Sequence, residues 1–179
     1  MVIIGLSGKK YTGKTEIEKF LKEKYKYDSI AFADPIKDTI ELWYPGLKRE
    51  YLYDPELKEK KVEELYGNTP RQIMQRVGDL VRNHFDKDFW VKIVKGKISK
   101  LNAKQNIVVS DIRFPNELEM LNELNLSEKV IIFRIIRDDI HREDSHESEN
   151  QNLNCPNMVT IYNNGSLEEL FEKIEKKIL

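Results

Sequence analysis

Residues 8–15, Gly8-Lys9-Lys10-Tyr11-Thr12-Gly13-Lys14-Thr15, match the pattern GxxxxGK[ST] in full. Their flanks narrow the choice of fold. Val2 to Leu6 is a continuous apolar run, as in strands buried on both faces of a parallel sheet. From Glu16 to Tyr25 the rhythm turns helical, with Ile17, Phe20 and Leu21 at i, i+3 and i+4 on one face. A strand, a Gly-rich loop and a helix in that order form a cradle for phosphate. Gly8 and Gly13 let the backbone turn so that its N–H groups converge on phosphate oxygens. The helix start contributes the positive end of its dipole. Lys10, Tyr11 and Thr12 complete the loop around a nucleotide's phosphates, Lys14 is placed for the β- and γ-phosphates, and the Thr15 hydroxyl is placed for Mg²⁺.

Further along, strands and helices alternate. Ser29 to Ala33 is expected as a second strand, and Asp34-Pro35 opens a helix carrying Ile36, Ile40 and Trp43. Residues 44–69 are polar and Tyr-rich, and read as a helical insert or flap. A strong helix is expected from Pro70 to about Asp86, with Ile73, Val77, Leu80 and Val81 as its stripe, and another over Asp88 to Leu101. Ile107 to Asp111 is a strand ending in an acid. Asn116 to Leu124 is helical, and Val130 to Ile136 is a strand running into Arg137. Residues 138–156 hold almost nothing to bury and read as a lid. Met158 to Tyr162 is a last strand, and Ser166 with Glu169 forms a capping box on the final helix. The expected class is α/β: a three-layer, mostly parallel sheet with helices on both faces, in one domain over 1–179 with an insert at 44–69 and a lid at 138–156.

Composition excludes several functions. Hydrophobic residues are 40% and charged residues 34%, which is globular rather than disordered. A net charge of −1 lacks the basic signature of a nucleic-acid polymer binder. No apolar run approaches a membrane span, and Met1 to Ser7 lacks the charged start and cleavage site of a signal peptide. The single cysteine, Cys155, permits no intrachain disulfide and fits a reducing, cytoplasmic setting. It lies in a turn-like Asn154-Cys155-Pro156 and is not expected to be a nucleophile. His146, Glu147 and Glu149 lack the ligand set of a closed zinc site and read as a solvated face. Trp43 and Trp90, at helical spacing among apolar neighbours, read as core.

Within the phosphate-loop proteins, a GTPase would need an Asn-Lys-x-Asp motif, which is absent. A small-molecule kinase needs several cations around an acceptor anion and a closing lid. Lys37, Arg71, Arg76, Arg82, Arg113 and Arg137 are spread over separate elements and meet that requirement as a group, although each taken singly reads as a surface charge.

The motif order resembles the deoxynucleoside monophosphate kinases of bacteriophages and related viruses. The stretches that carry the resemblance are GKKYTGKT, ADPIKD (33–38), TPRQIMQRVGD (69–79), DFWV (88–91), VVSDIRFPNELE (108–119), HESE (146–149) and NNGSLEELF (163–171). The resemblance implies a nucleoside-monophosphate-kinase-like fold with a lid, ATP as donor and a dNMP as acceptor. Ile36, Lys37, Arg71, Gly78 and Trp90 are then acceptor contacts, with Arg71 gripping the phosphate. Asp111, Arg113 and Glu117 form an acceptor-side cluster, and Asp111 can equally serve Mg²⁺ with Thr15. Arg137 is the lid arginine, and the loop from Asn163 to Ser166, with Asn163 and Gly165 as its ATP contacts, borders the adenine. Lys14, Arg71, Asp111 and Arg137 are the candidates for catalysis. The partners implied are small molecules, with no membrane and no nucleic-acid polymer; a homodimer is left open, and the location would be a host cytoplasm if the source is viral. Phosphomevalonate kinases have a similar plan, and a non-catalytic nucleotide-binding regulator is a third reading.

Overall fold

In a computed structural model of the protein, residues 1–125, 127–138, 153–155 and 158–179 are described. They form two compact units, Met1–Ala31 with Lys97–Leu179, and Phe32–Gly96. In chain order the strands are β1 (Val2–Ser7), β2 (Asp28–Ile30), β3 (Ile107–Ile112), β4 (Lys129–Ile136) and β5 (Met158–Tyr162). The described helices are α1 (Lys14–Tyr25), α2 (Asp34–Trp43), α3 (Glu50–Tyr53), α4 (Pro70–His84), α5 (Phe89–Ile98), α6 (Pro115–Leu124) and α7 (Leu167–Ile178).

The first unit is built on a five-stranded sheet in the order β2-β3-β1-β4-β5, with every pair parallel. Helices cover both faces, as the alternation of β1 side chains reveals. Ile4 and Leu6 join Ile17 and Leu21 of α1 and Leu170 and Ile174 of α7 in one core. Gly5 faces the other way, and a Cβ there would sit 3.2 Å from Leu121 of α6. Strand β1 is central. Its Ile4 pairs with Val108 of β3 on one side and with Ile131 of β4 on the other. The chain first builds the β2–β3 side and then crosses to the β4–β5 side. The loop after β1 therefore lies at the switch point, outside the carboxyl ends of the strands, where open α/β sheets bind ligands.

Strand β2 ends earlier than the expected Ser29 to Ala33. Its pairing starts at Asp28, whose N–H donates to the Asn106 carbonyl at 2.9 Å. By Ala33 the backbone is already helical, at φ −75° and ψ −13°.

The second unit is helical. Its core gathers Ile40 of α2, Ile73 and Val77 of α4, Trp90 of α5, and Leu47, Leu52, Val62 and Leu65 from the polar stretch before α4. Residues 44–69 thus pack: α3 and two short 3₁₀ turns, Leu57–Glu59 and Glu63–Leu65, bring their few apolar side chains inward. Helix α4 starts on a complete capping box. Thr69 Oγ1 accepts from the Gln72 N–H at 3.2 Å, and Gln72 Oε1 accepts from the Thr69 N–H at 3.0 Å. Two core expectations are corrected. Trp43 is 54% exposed because α2 ends there and Leu47 fills the core beyond it. Leu80 is 54% exposed although it follows Val77 by three residues: the buried residues of α4 end at Gly78, and the last turn of the helix leaves Leu80 uncovered. At α7, Ser166 Oγ accepts from the Glu169 N–H at 3.3 Å, the N-cap half of the expected box.

Candidate active site

The loop between β1 and α1 has a backbone that side chains resist. Gly8 and Gly13 have φ of 143° and 102°, and Tyr11 has φ 63°. Space forbids a Cβ as well: at Gly8 it would lie 2.4 Å from the Ile135 carbonyl oxygen, and at Gly13 it would lie 2.6 Å from Asn163 Nδ2. A chain so curled cannot pair its carbonyls in a ladder, so side chains take them. Lys14 Nζ donates to Gly8 O at 2.5 Å and to Lys9 O at 2.6 Å. Thr12 Oγ1 donates to Lys9 O at 2.9 Å, and Asn163 Nδ2 donates to Thr12 O at 2.9 Å. Thr12 is buried, whereas Thr15 lies exposed in the first turn of α1.

Burial, and secondly the Arg113 guanidinium, push the Lys14 amine down to about 7, against the pull of the Asp111 carboxylate. Asp111 and Arg113, at the end of β3 and just beyond it, therefore act on Lys14 directly. At pH 8 a lysine with that pKa is roughly nine-tenths neutral. A phosphate anion beside it restores the ammonium. Triphosphate binding is accordingly expected to take up protons at pH 8, and Lys14 to contribute little at pH 6, where it is already mostly charged. Calorimetry of ATP binding in buffers of differing ionisation enthalpy checks this; a binding heat at pH 8 that ignores the buffer refutes it.

The remaining candidates separate by unit. Glu117 is buried, and its Oε2 accepts from the N–H groups of Arg113 at 2.7 Å and Phe114 at 3.0 Å. It thereby fixes the turn from β3 into α6 that presents Arg113. Asn163, Asn164 and Gly165 follow β5. Asn163 is buried beneath the phosphate loop, whereas Asn164 and Gly165 are exposed. Asn164 Oδ1 accepts from the Asp138 N–H at 3.1 Å, and its amide donates to the Asp138 carboxylate at 2.5 Å. Arg137 is exposed at the end of β4. Most of the expected lid, including His146, Glu147 and Glu149, lies outside the described residues.

In the second unit, Ile36, Gly78 and Trp90 come together. The Trp90 indole N–H donates to the Gly78 carbonyl at 3.2 Å, and a Cβ on Gly78 would lie 3.2 Å from Ile36 Cδ1. Lys37 is buried, 3.0 Å from the Asp34 carboxylate and 4.1 Å from the centre of the Tyr53 ring. Arg71, on the first turn of α4, pairs through Nε with Glu59 Oε1 at 2.5 Å.

Sheet order and the switch-point loop define an α/β fold of the P-loop NTPase type. The sequence comparisons narrow this class. Residues 68–174 match the family model described as deoxynucleotide monophosphate kinase. A putative deoxynucleotide monophosphate kinase of Acanthamoeba polyphaga mimivirus is 30% identical, over 97% of this chain and 94% of that protein. The deoxynucleotide monophosphate kinase of Enterobacteria phage T4 is 24% identical over 99% of each. A deoxynucleoside-5'-monophosphate kinase of Escherichia phage T5 is 34% identical over 51% of this chain and 38% of that one. The chain belongs to the deoxynucleotide monophosphate kinase family.

Proposed function

We propose that this enzyme transfers the γ-phosphoryl group of ATP to the phosphate of a deoxynucleoside monophosphate, giving the diphosphate and ADP. The observation that carries the donor half is the strained loop Gly8–Thr15 at the sheet's switch point, with Lys14 held against its own loop carbonyls. Family membership carries the acceptor half. An oxygen of the acceptor phosphate attacks the γ-phosphorus, and the bond to the β–γ bridging oxygen breaks, leaving ADP. The acceptor supplies the nucleophile, so the protein needs no covalent intermediate and works by placing cations and holding geometry. Lys14 leaves the Gly8 and Lys9 carbonyls for the β- and γ-phosphates. Asp111 and Arg113 stand at the end of β3, and Glu117 holds that turn in shape. Asn164 and Gly165 border the adenine.

Mg²⁺ suits the hard oxygen donors available, the exposed Thr15 hydroxyl and the Asp111 carboxylate. No group of three His, Cys, Asp or Glu side chains able to hold a metal occurs among the described residues, which fits an ion that keeps its waters and arrives with the nucleotide. When bound it would neutralise charge on the triphosphate. No described helix is long and apolar enough to cross a membrane, and we place the enzyme in the cytoplasm with its small-molecule substrates. A coupled ADP-release assay across dNMPs, NMPs and phosphomevalonate tests the reading; turnover with phosphomevalonate alone, or with no acceptor, would overturn it.

Arg71 is the proposed grip on the acceptor phosphate. Arg71→Ala is expected to raise the acceptor KM or lower kcat by the equivalent of about 1.5–3 kcal/mol, with ATP affinity unchanged. Glu59 competes for the same guanidinium, so Glu59→Gln should lower the acceptor KM. Equal losses toward ATP and acceptor in Arg71→Ala would remove Arg71 from this role.

A further inference from the structure

We propose that Asn163 is a positioning residue for the phosphate loop, so that affinity for the nucleotide's phosphates, and not recognition of its adenine, depends on it. The inference rests on reading Gly8–Thr15 as the triphosphate site.

Asn163 is only 5% exposed, and a polar side chain that buried normally answers a specific polar partner. Its partner is the carbonyl of Thr12, a residue 151 positions away in sequence, at 2.9 Å. The same amide nitrogen stands where a Cβ on Gly13 would have to go, with Leu170 beside it. Asn163 therefore touches the loop at two successive residues, through a hydrogen bond at Thr12 and by van der Waals contact at Gly13. Its own backbone is fixed: the Asn163 N–H donates to the Ile136 carbonyl at 2.8 Å, continuing the β4–β5 pairing by one residue. Strand β4 also sets the other end of the loop, since the Ile135 carbonyl leaves no room for a side chain at Gly8. The loop is thus clamped between two points that both refer to the end of β4.

The clamp differs in kind from Lys14. The lysine also holds loop carbonyls, those of Gly8 and Lys9, but in the proposed mechanism it leaves them when phosphate arrives. Asn163 lies behind the loop and has no reason to move, so it keeps Thr12 and Gly13 in place while Lys14 changes partner. Removing its donor frees the Thr12 peptide to turn, and the N–H groups on either side of that peptide lose their aim at the anion.

The test is a ligand ladder. ATP, ADP, AMP and adenosine are titrated into the parent and into Asn163→Leu, which keeps bulk against Gly13 but has neither donor nor charge. Asn163→Ala serves in parallel if the leucine variant folds poorly, and all titrations are run well below the unfolding midpoint of each variant. The expected result is about a five- to tenfold rise in Kd for ATP and ADP, little change for AMP and adenosine, an unchanged ATP-to-GTP preference, and an unchanged acceptor KM. An unaltered ladder overturns the proposal. An equal loss for all four ligands, or a changed preference between ATP and GTP, also overturns it by assigning Asn163 to the base. A parent that binds ATP no better than adenosine would instead refute the phosphate-site reading itself, which separates the two failures.

Discussion

Lys14→Ala is expected to abolish measurable phosphoryl transfer, lowering kcat by at least the order of 10²–10³-fold that follows removal of one preorganised donor to developing charge, while leaving the protein folded. Both halves follow from what surrounds the amine. Its partners in the free protein are two carbonyls of its own loop, Gly8 and Lys9. Burial and Arg113 hold its pKa down to about 7, so the ammonium is disfavoured until an anion arrives. A side chain in that condition contributes little to holding the fold, and Ile17 and Leu21 keep α1 on the sheet without it. Its positive charge becomes useful only opposite phosphate. Circular dichroism and the thermal midpoint should therefore match the parent, while the coupled assay falls to background. A variant that turns over at a near-parental rate would remove the loop from the reaction; a variant that unfolds would show that the two carbonyl contacts matter to the fold.

What could be read from the chain beforehand follows the range of the interactions involved. The phosphate loop and the Ser166 N-cap were legible because their signals are local: a glycine at a fixed offset, or Ser166 three residues before Glu169. The TPRQ stretch is instructive, since Thr69 and Gln72 cap α4 while Arg71 between them is the residue we propose for the acceptor phosphate. A local motif can thus combine a folding role with a functional one, and sequence alone does not divide them. The core of residues 44–69 was hidden because Leu47, Leu52, Val62 and Leu65 follow neither helical nor strand spacing; one-turn elements leave no periodicity to detect. Lys37 was recognised as a candidate, but its burial against Asp34 and Tyr53 depends on the fold of that same stretch. Asn163 was legible only as part of the turn after the last strand, because its contact with Thr12 spans nearly the whole chain.

The second large effect is expected at Arg137. We place this arginine at the transferring phosphoryl group, and the sheet supplies the reason. Strand β4 lies beside β1, with Arg134 in register with Ser7, the last residue before the phosphate loop. Arg137 is three residues further on, exposed, at the same end of the sheet as the loop. Of the two acids that could hold it as a mere strand-end ion pair, Asp138 is engaged by Asn164 through both its backbone N–H and its carboxylate, and Asp139 lies outside the described residues. An arginine so placed can deliver charge where the transition state spreads it over the γ-phosphoryl oxygens, the role for which an arginine finger is worth about 10³–10⁵ in kcat. Arg137→Ala should therefore lower kcat by roughly 10³-fold or more, while the Kd of ATP and of the acceptor change only a few-fold, because the lost interaction belongs to the transition state. Arg137→Lys should recover only part of the rate, since a point charge cannot bridge two oxygens as a guanidinium does. Steady-state kinetics with direct binding measurements decide the matter. An unchanged kcat, or a loss confined to KM, assigns Arg137 to ground-state binding or to the surface and removes it from the transition state.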